Sequence, residues 1–196
     1  KKINFNKEKP GMFDVKQKKK LLEIARQTIR YYLETGKKLP QETDDPALRE
    51  VMGAFVTLHK NGSLRGCIGN MTGTQPLYLT ISDMAIAAAV EDPRFRALTL
   101  NELDNVDIEI SVLSPMRKIS SPDEIDIGKH GVMVKRSWQS GVYLPQVAEE
   151  TGWSKEQFMD SLCAHKADIP ADSWRKGECD IYIFTAEVFG EKETDK

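Results

Sequence analysis

Cysteine is scarce and dispersed: Cys67, Cys163 and Cys179 are the three in 196 residues, and no CxxC occurs. Such a set argues for neither a disulfide framework nor a thiolate zinc site, and it fits a reducing, cytoplasmic setting. Long apolar runs are missing too. The longest, Met84 to Val90, falls far short of the ~18 residues a membrane span needs, and no basic-then-apolar leader opens the chain. A soluble protein with no membrane partner is expected. Neither sign of charge is in excess: 28 lysines and arginines stand against 30 acidic residues, a net charge of -2. Binding along a phosphate backbone needs a basic surface, so a nucleic-acid partner is disfavoured, and Lys16, Lys18, Lys19 and Lys20 read as the solvated face of a helix. There is no Walker loop, GxGxxG, GxSxG, HExxH or iron–sulfur cysteine cluster. No motif identifies a cofactor, and no metal site is expected.

What is present describes a folded chain: 40% hydrophobic and 30% charged residues are ordinary globular proportions. From Asp14 to Leu33, apolar residues recur at Leu21, Ala25, Ile29 and Tyr32, the helical period, with Gly36 as the stop. Ala54 to His59 and Leu64 to Ile68 flank Lys60-Asn61-Gly62-Ser63, and Asn-Gly between short apolar runs signals a hairpin. Leu77, Ile81, Met84, Ala85 and Ala88 mark a second helix ending near Val90. Thr99 and Glu102 match a capping box, and Ser121-Pro122-Asp123-Glu124 reads as a capped turn. Val106 to Leu113 alternates as a half-buried strand, with Asp107, Glu109 and Ser111 on the polar face.

Further on, strands are expected at Gly131 to Lys135 and Val142 to Leu144 around a turn at Ser137 to Gly141. Pro145 to Glu150 reads as a short helix closed by Gly152, and Ser154 and Gln157 cap a longer one to about Lys166. One last strand spans roughly Asp180 to Phe189. Hairpins beside isolated helices, without regular strand–helix alternation, define an α+β class with an antiparallel or mixed sheet and flanking helices. The chain opens on Lys1 and not on methionine, so residues 1–13 read as an N-terminal extension, processed or added in cloning; residues 14–191 read as the domain and 192–196 as a polar tail.

Chemistry is most concentrated at Cys67, between Gly66 and Gly69, which let the backbone turn sharply or a ligand approach closely. Arg65 lies two positions earlier, so on an extended strand both side chains share a face, and a guanidinium beside a thiol favours the thiolate. The alternative is a small buried hydrophobe on a strand. His130, in the turn Gly128-Lys129-His130-Gly131, is a candidate general base for Cys67, since nucleophile and base are commonly distant in sequence. Glu109 is a second candidate proton acceptor, or else a solvated carboxylate. Arg94, in Asp92-Pro93-Arg94-Phe95, offers an anion anchor, with a salt bridge to Asp92 as the simpler reading. Cys163 and His165 stand two apart on a helix and make a poor metal pair, and His59 is assigned no role. Trp138, Trp153 and Trp174 read as core residues.

Leu-Arg-Gly-Cys-Ile-Gly at 64–69, Asp-Pro-Arg-Phe at 92–95, Glu-Ile-Ser-Val-Leu at 109–113, Gly-Lys-His-Gly at 128–131, Leu-Pro-Gln-Val-Ala at 144–148 and Ala-Glu-Val-Phe-Gly-Glu at 186–191 resemble the hallmark segments of the AMMECR domain family. The resemblance implies an α+β fold of two unequal subdomains with the cysteine motif near a cleft between them. It also implies the A component of an AmmeMemoRadiSam set, partnered by a Memo-type protein and a radical SAM enzyme. On this reading Cys67, His130 and Glu109 are candidate catalytic residues, and Arg65, Gly66, Gly69, Asp92 and Arg94 are candidate ligand-binding residues. The function is then that of an enzyme or enzyme subunit, a non-catalytic interaction module, or, more weakly, an RNA- or nucleotide-binding domain.

Overall fold

The first helix is set by its ends and its stripe. In the computed structural model, which describes residues 11–194, Asp14 caps the amide of Gln17 at 2.8 Å, and the Gln17 side chain returns to the Asp14 amide at 3.0 Å. That reciprocal box starts α1 (Val15–Thr35), and Gly36 ends it in the left-handed conformation that glycine adopts without strain. Its inward stripe is Leu21, Leu22, Ile24, Ala25, Thr28 and Ile29. Residues 1–10 of the expected extension, and 195–196 of the expected tail, lie outside the described residues.

Asn61 and Gly62 both take positive φ, 52° and 79°, and close a hairpin between β1 (Gly53–Lys60) and β2 (Ser63–Asn70). Two consecutive residues of this kind match the right-handed twist of the flanking strands. After an extended Pro76, α2 (Leu77–Val90) runs through an alanine-rich end that packs closely on the hairpin. The one-turn α3 (Leu100–Leu103) follows Thr99, whose amide donates to the Glu102 carboxylate at 3.3 Å. Then comes β3 (Val106–Leu113), its residues Ile108, Ile110 and Val112 buried.

The described residues divide into two compact units, one made of residues 11–112 and 187–194, the other of Leu113–Ala186. In the first, a four-stranded sheet of order β2-β1-β3-β8, where β8 is Ala186–Gly190, is covered by α1 and α2 over a core that includes Leu21, Ile24, Val56, Leu58, Ile81 and Ile110. Fully burying one such side chain contributes about 1.5–3 kcal/mol before the entropy of ordering is charged against it.

The second unit holds β4 (Arg117–Lys118), β5 (Gly131–Arg136), β6 (Gln139–Tyr143) and β7 (Asp180–Phe184) in the order β4-β7-β5-β6. Here β5 pairs antiparallel with both β6 and β7. Its helices are α4 (Pro145–Thr151), closed by a left-handed Gly152, and α5 (Lys155–Ser161), which continues as a π-helical stretch Leu162–Lys166. Phe158, Leu162, Val132 and Val134 are fully buried at its centre.

Three sequence expectations are revised. The final strand is two: β7 ends at Phe184 and β8 (Ala186–Gly190) joins the other sheet. The change of sheet falls at Thr185, whose carbonyl accepts the Ser114 amide at 2.9 Å and whose amide donates to Ser114 Oγ at 2.9 Å. The turn between β5 and β6 is only Ser137-Trp138, with Ser137 at φ 55°, so Trp138 projects from a hairpin tip and is 90% exposed, not a core residue. Lastly, a short α6 (Glu191–Thr194) forms where a tail was expected.

Candidate functional site

Cys67 lies on β2, the terminal strand of its sheet, opposite Thr57 of β1. The inward face of β1 is Ala54, Val56 and Leu58, so Thr57 and the residue opposite it look outward. Thr57 Oγ1 donates to Cys67 Sγ at 3.3 Å, and the thiol is half-buried.

An edge strand leaves alternate amides and carbonyls without a neighbour. At Cys67 both are taken by one turn. Its amide donates to Asp92 Oδ2 at 2.9 Å, and its carbonyl accepts from Arg94 Nη2 at 3.2 Å. Arg94 in turn donates to Asp92 through Nε at 2.9 Å and Nη2 at 2.7 Å. Asp92 is buried, and the guanidinium hydrogen bonds hold its carboxyl far below the usual carboxylate range, assisted by the amides of Cys67 and Arg94. The salt bridge expected for Asp92 and Arg94 is therefore present, and it doubles as a surrogate strand for the cysteine.

The glycines of the motif serve close packing. A Cβ on Gly66 would stand 2.2 Å from the Ala88 carbonyl oxygen on α2, and one on Gly69 would enter the Phe55 ring at 2.3 Å. The close approach they permit is made by these two neighbours. Arg65 sits at an irregularity in the strand pairing. The register runs Leu58 with Gly66 and then His59 with Leu64, so Arg65 is an extra residue at a bulge. Its Nη2 donates to Glu102 at 3.3 Å, and its guanidinium sits 5.9 Å from the Phe95 ring centre. The guanidinium bonded to the Cys67 backbone is that of Arg94.

Glu102 gathers cations at this end of the sheet. It accepts from Lys60 at 2.9 Å as well as from Arg65, and these bonds, Lys60 first, depress its pKa to about 2.

Glu109, on the outward face of β3, lies 3.9 Å from His59 Nε2, which is shielded from solvent and makes no hydrogen bond. The two line a recess of about 170 Å³ with Asp107 and Lys192. His59 was missed in the sequence, although its place two residues after Thr57 already put it on the outward face. His59 stands on β1 two residues beyond Thr57, the residue opposite Cys67.

His130 belongs to the second unit. Its Nδ1 accepts the Asp126 amide at 3.1 Å, and burial, followed by Lys129, lowers its pKa. With Nδ1 accepting, the neutral ring presents Nε2–H, a donor. The structure thus joins Cys67, Asp92 and Arg94 directly, places Arg65 with Glu102, and pairs Glu109 with His59.

A two-unit α+β chain whose thiol stands on a hairpin edge clamped by an Asp-Pro-Arg turn is the class these observations define. Comparison with known proteins narrows it. The AMMECR1 family matches residues 22–189, and the chain belongs to that family. The protein MK0488 of Methanopyrus kandleri is 41% identical over 184 residues, covering 89% of this chain and 88% of its own. The protein PH0010 of Pyrococcus horikoshii is 42% identical over 183 residues, 88% of each chain. The crystal structure of PH0010 superposes with a TM-score of 0.80 at 39% identity, over 92% of this chain and 94% of that one. No helix among the described residues is long and apolar enough to cross a membrane.

Proposed function

We propose that this protein is an enzyme or enzyme subunit in which Cys67 is the nucleophilic or redox-active thiol. The observation that carries the reading is the double fixation of Cys67: Thr57 donates to its sulfur at 3.3 Å, while Asp92 and Arg94 hold its amide and carbonyl. A purely packed cysteine has no need of a donor on sulfur and a charged clamp on its backbone. The proton leaves toward the Glu109 and His59 pair on the same sheet face, with Arg94 offsetting the charge that remains on sulfur. His130 fills that role only if it first gives up its bond to the Asp126 amide.

The proposal places this thiol in the cytoplasm, working with a Memo-type protein and a radical SAM enzyme, as the resemblance implies. Thiol labelling of the folded protein tests it. Cys67 is expected to react faster than free cysteine near neutral pH, and Cys67→Ser to abolish both the fast phase and cellular function. A rate no greater than that of free cysteine, with function intact in Cys67→Ser, overturns the reading.

One observation favours the interaction-module alternative: Leu64, at the start of the motif, is 41% exposed on the hairpin. Co-purification separates the two, since Leu64→Asp would release a docked partner while leaving the Cys67 labelling rate unchanged.

A further inference from the structure

Lys16, Lys18, Lys19 and Lys20 do not form one uniform face of α1. Lys18 turns to β8, where it pairs with Glu187 at 2.7 Å and stands 5.8 Å from the centre of the Phe189 ring. Lys16, Lys19 and Lys20 fall within about 100° of one another around the helix. They line a recess of about 430 Å³ between α1 and the segment 43–48, to which the core residue Leu48 contributes apolar surface. Binding clefts commonly measure about 300–1,000 Å³. This one is held in shape by its own hydrogen bonds. Gln17, which closes the capping box of α1, also donates through Nε2 to Asp45 at 3.1 Å. Asp45 accepts the Ala47 amide at 2.9 Å, and its own amide donates to Thr43 Oγ1 at 3.2 Å.

We infer that this recess is a docking site for an acidic segment of a partner protein, whose carboxylates meet the lysines and whose apolar side chain enters between them. Charge complementarity carries the assignment. The two acids of the recess are already engaged: Glu23 by Lys20 at 3.3 Å and Gln27 at 2.9 Å, and Asp45 by Gln17 and the Ala47 amide. Among the described residues, neither Lys16 nor Lys19 has an ion-pair partner. Two ammonium groups are thus left for an outside anion. The chain as a whole carries a net charge of -2, so this face offers an acidic partner what the average surface does not, and that fixes the orientation of docking.

Spacing fits the same occupant. Lys16 and Lys20 are separated by about 6 Å along the helix axis. Alternate residues of an extended chain stand about 6.6 Å apart on one side, so successive carboxylates there reach successive lysines. The lysine stems present aliphatic surface to an apolar side chain while their ammonium groups stay in water. A small metabolite fits less well, because its orientation is fixed by convergent neutral hydrogen-bonding groups. Those of the recess, Gln17 and Thr43, are bonded to Asp45.

The test uses the full chain and a short fluorescein-labelled peptide, Glu-Leu-Glu-Glu-Leu-Glu. Its anisotropy is expected to rise with added protein at low ionic strength and to fall back as salt is added, because exposed charges are screened over about 10 Å at about 0.1 M. Lys19→Glu is expected to weaken binding about three- to tenfold. Lys16→Glu combined with Lys19→Glu is expected to abolish it. Lys37→Glu, which reverses a charge just past the end of α1, should leave affinity within about twofold. All three lysines are exposed, so the variants keep the fold, as circular dichroism would verify. No rise in anisotropy, equal losses from Lys19→Glu and Lys37→Glu, or equal binding of the peptide with lysine in place of glutamate overturns the inference. Displacement of the peptide by inorganic pyrophosphate would assign the recess to a small anion instead. A dimer that Lys19→Glu converts to a monomer would assign it to a second copy of this chain, and either result overturns the partner reading.

Discussion

Asp92 accepts the amide of Cys67 at 2.9 Å from across an open sheet edge, and in doing so it takes the position that a neighbouring strand would occupy. Arg94 supplies the complementary donor to the Cys67 carbonyl at 3.2 Å. Two segments that stand out in the sequence are thus halves of one device.

Replacing Asp92 breaks that device from its buried side. Asp92→Ala is expected to cost about 1.5–3 kcal/mol in urea unfolding, the range for losing hydrogen bonds to a charged group. Asp92→Asn, which keeps an acceptor, should cost less. Amide hydrogen exchange at Cys67 gives the local readout: exchange as slow as in the parent protein would show that something other than Asp92 protects the edge.

Acid stability should depend on Glu102. Its folded pKa, about 2, lies below the ordinary 4.5 because Lys60 and then Arg65 and the Thr99 amide bond the carboxylate. As pH falls, the unfolded chain takes up this proton before the folded one does. The contribution of Glu102 is therefore complete above about 4.5 and is lost as pH falls from there toward about 2. Urea unfolding at about pH 6 and about pH 3 should show a smaller difference for Glu102→Gln than for the parent. Equal differences would remove Glu102 from the account. Asp92, also depressed, acts in the same direction.

Thr57→Val keeps the volume on β1 and removes only the donor to Cys67 sulfur. A neutral hydrogen bond contributes about 0.5–1.5 kcal/mol net, so Cys67 labelling should slow by about two- to tenfold with the fold intact. The rate across pH, measured with a chromogenic disulfide, is the check. An unchanged profile would mean that the hydroxyl does not act on the thiolate.

The features legible in the sequence are those carried by residues within one turn or one hairpin of each other. Asp14 with Gln17, Thr99 with Glu102, Ser154 with Gln157, Asn61-Gly62 and the alternation of β3 are short-range hydrogen-bond or steric rules, and each holds in the structure. The motif around Cys67 was equally legible, as was its place on the second hairpin strand. The partner of Arg65 was not, because Glu102 stands 37 residues further along the chain. Trp138 was misread because a two-residue turn leaves a large apolar side chain no core to enter.

What the sequence by itself determined is the set of local elements and the α+β class. Tertiary structure alone decided the company that residues keep: the Asp92 carboxylate at the edge amide of Cys67, His59 beside Glu109, Arg65 on Glu102, and the change of sheet at Thr185. The physical reason is range. Caps and turns depend on dihedral angles and partners a few residues away, whereas these contacts depend on strand order, bulge position and helix packing, which only the whole fold sets. The Leu64 to Gly69 segment lies within the span that matches the family, residues 22–189; the clamp that holds its cysteine appears only when Asp92 and Arg94 fold onto the open edge of β2.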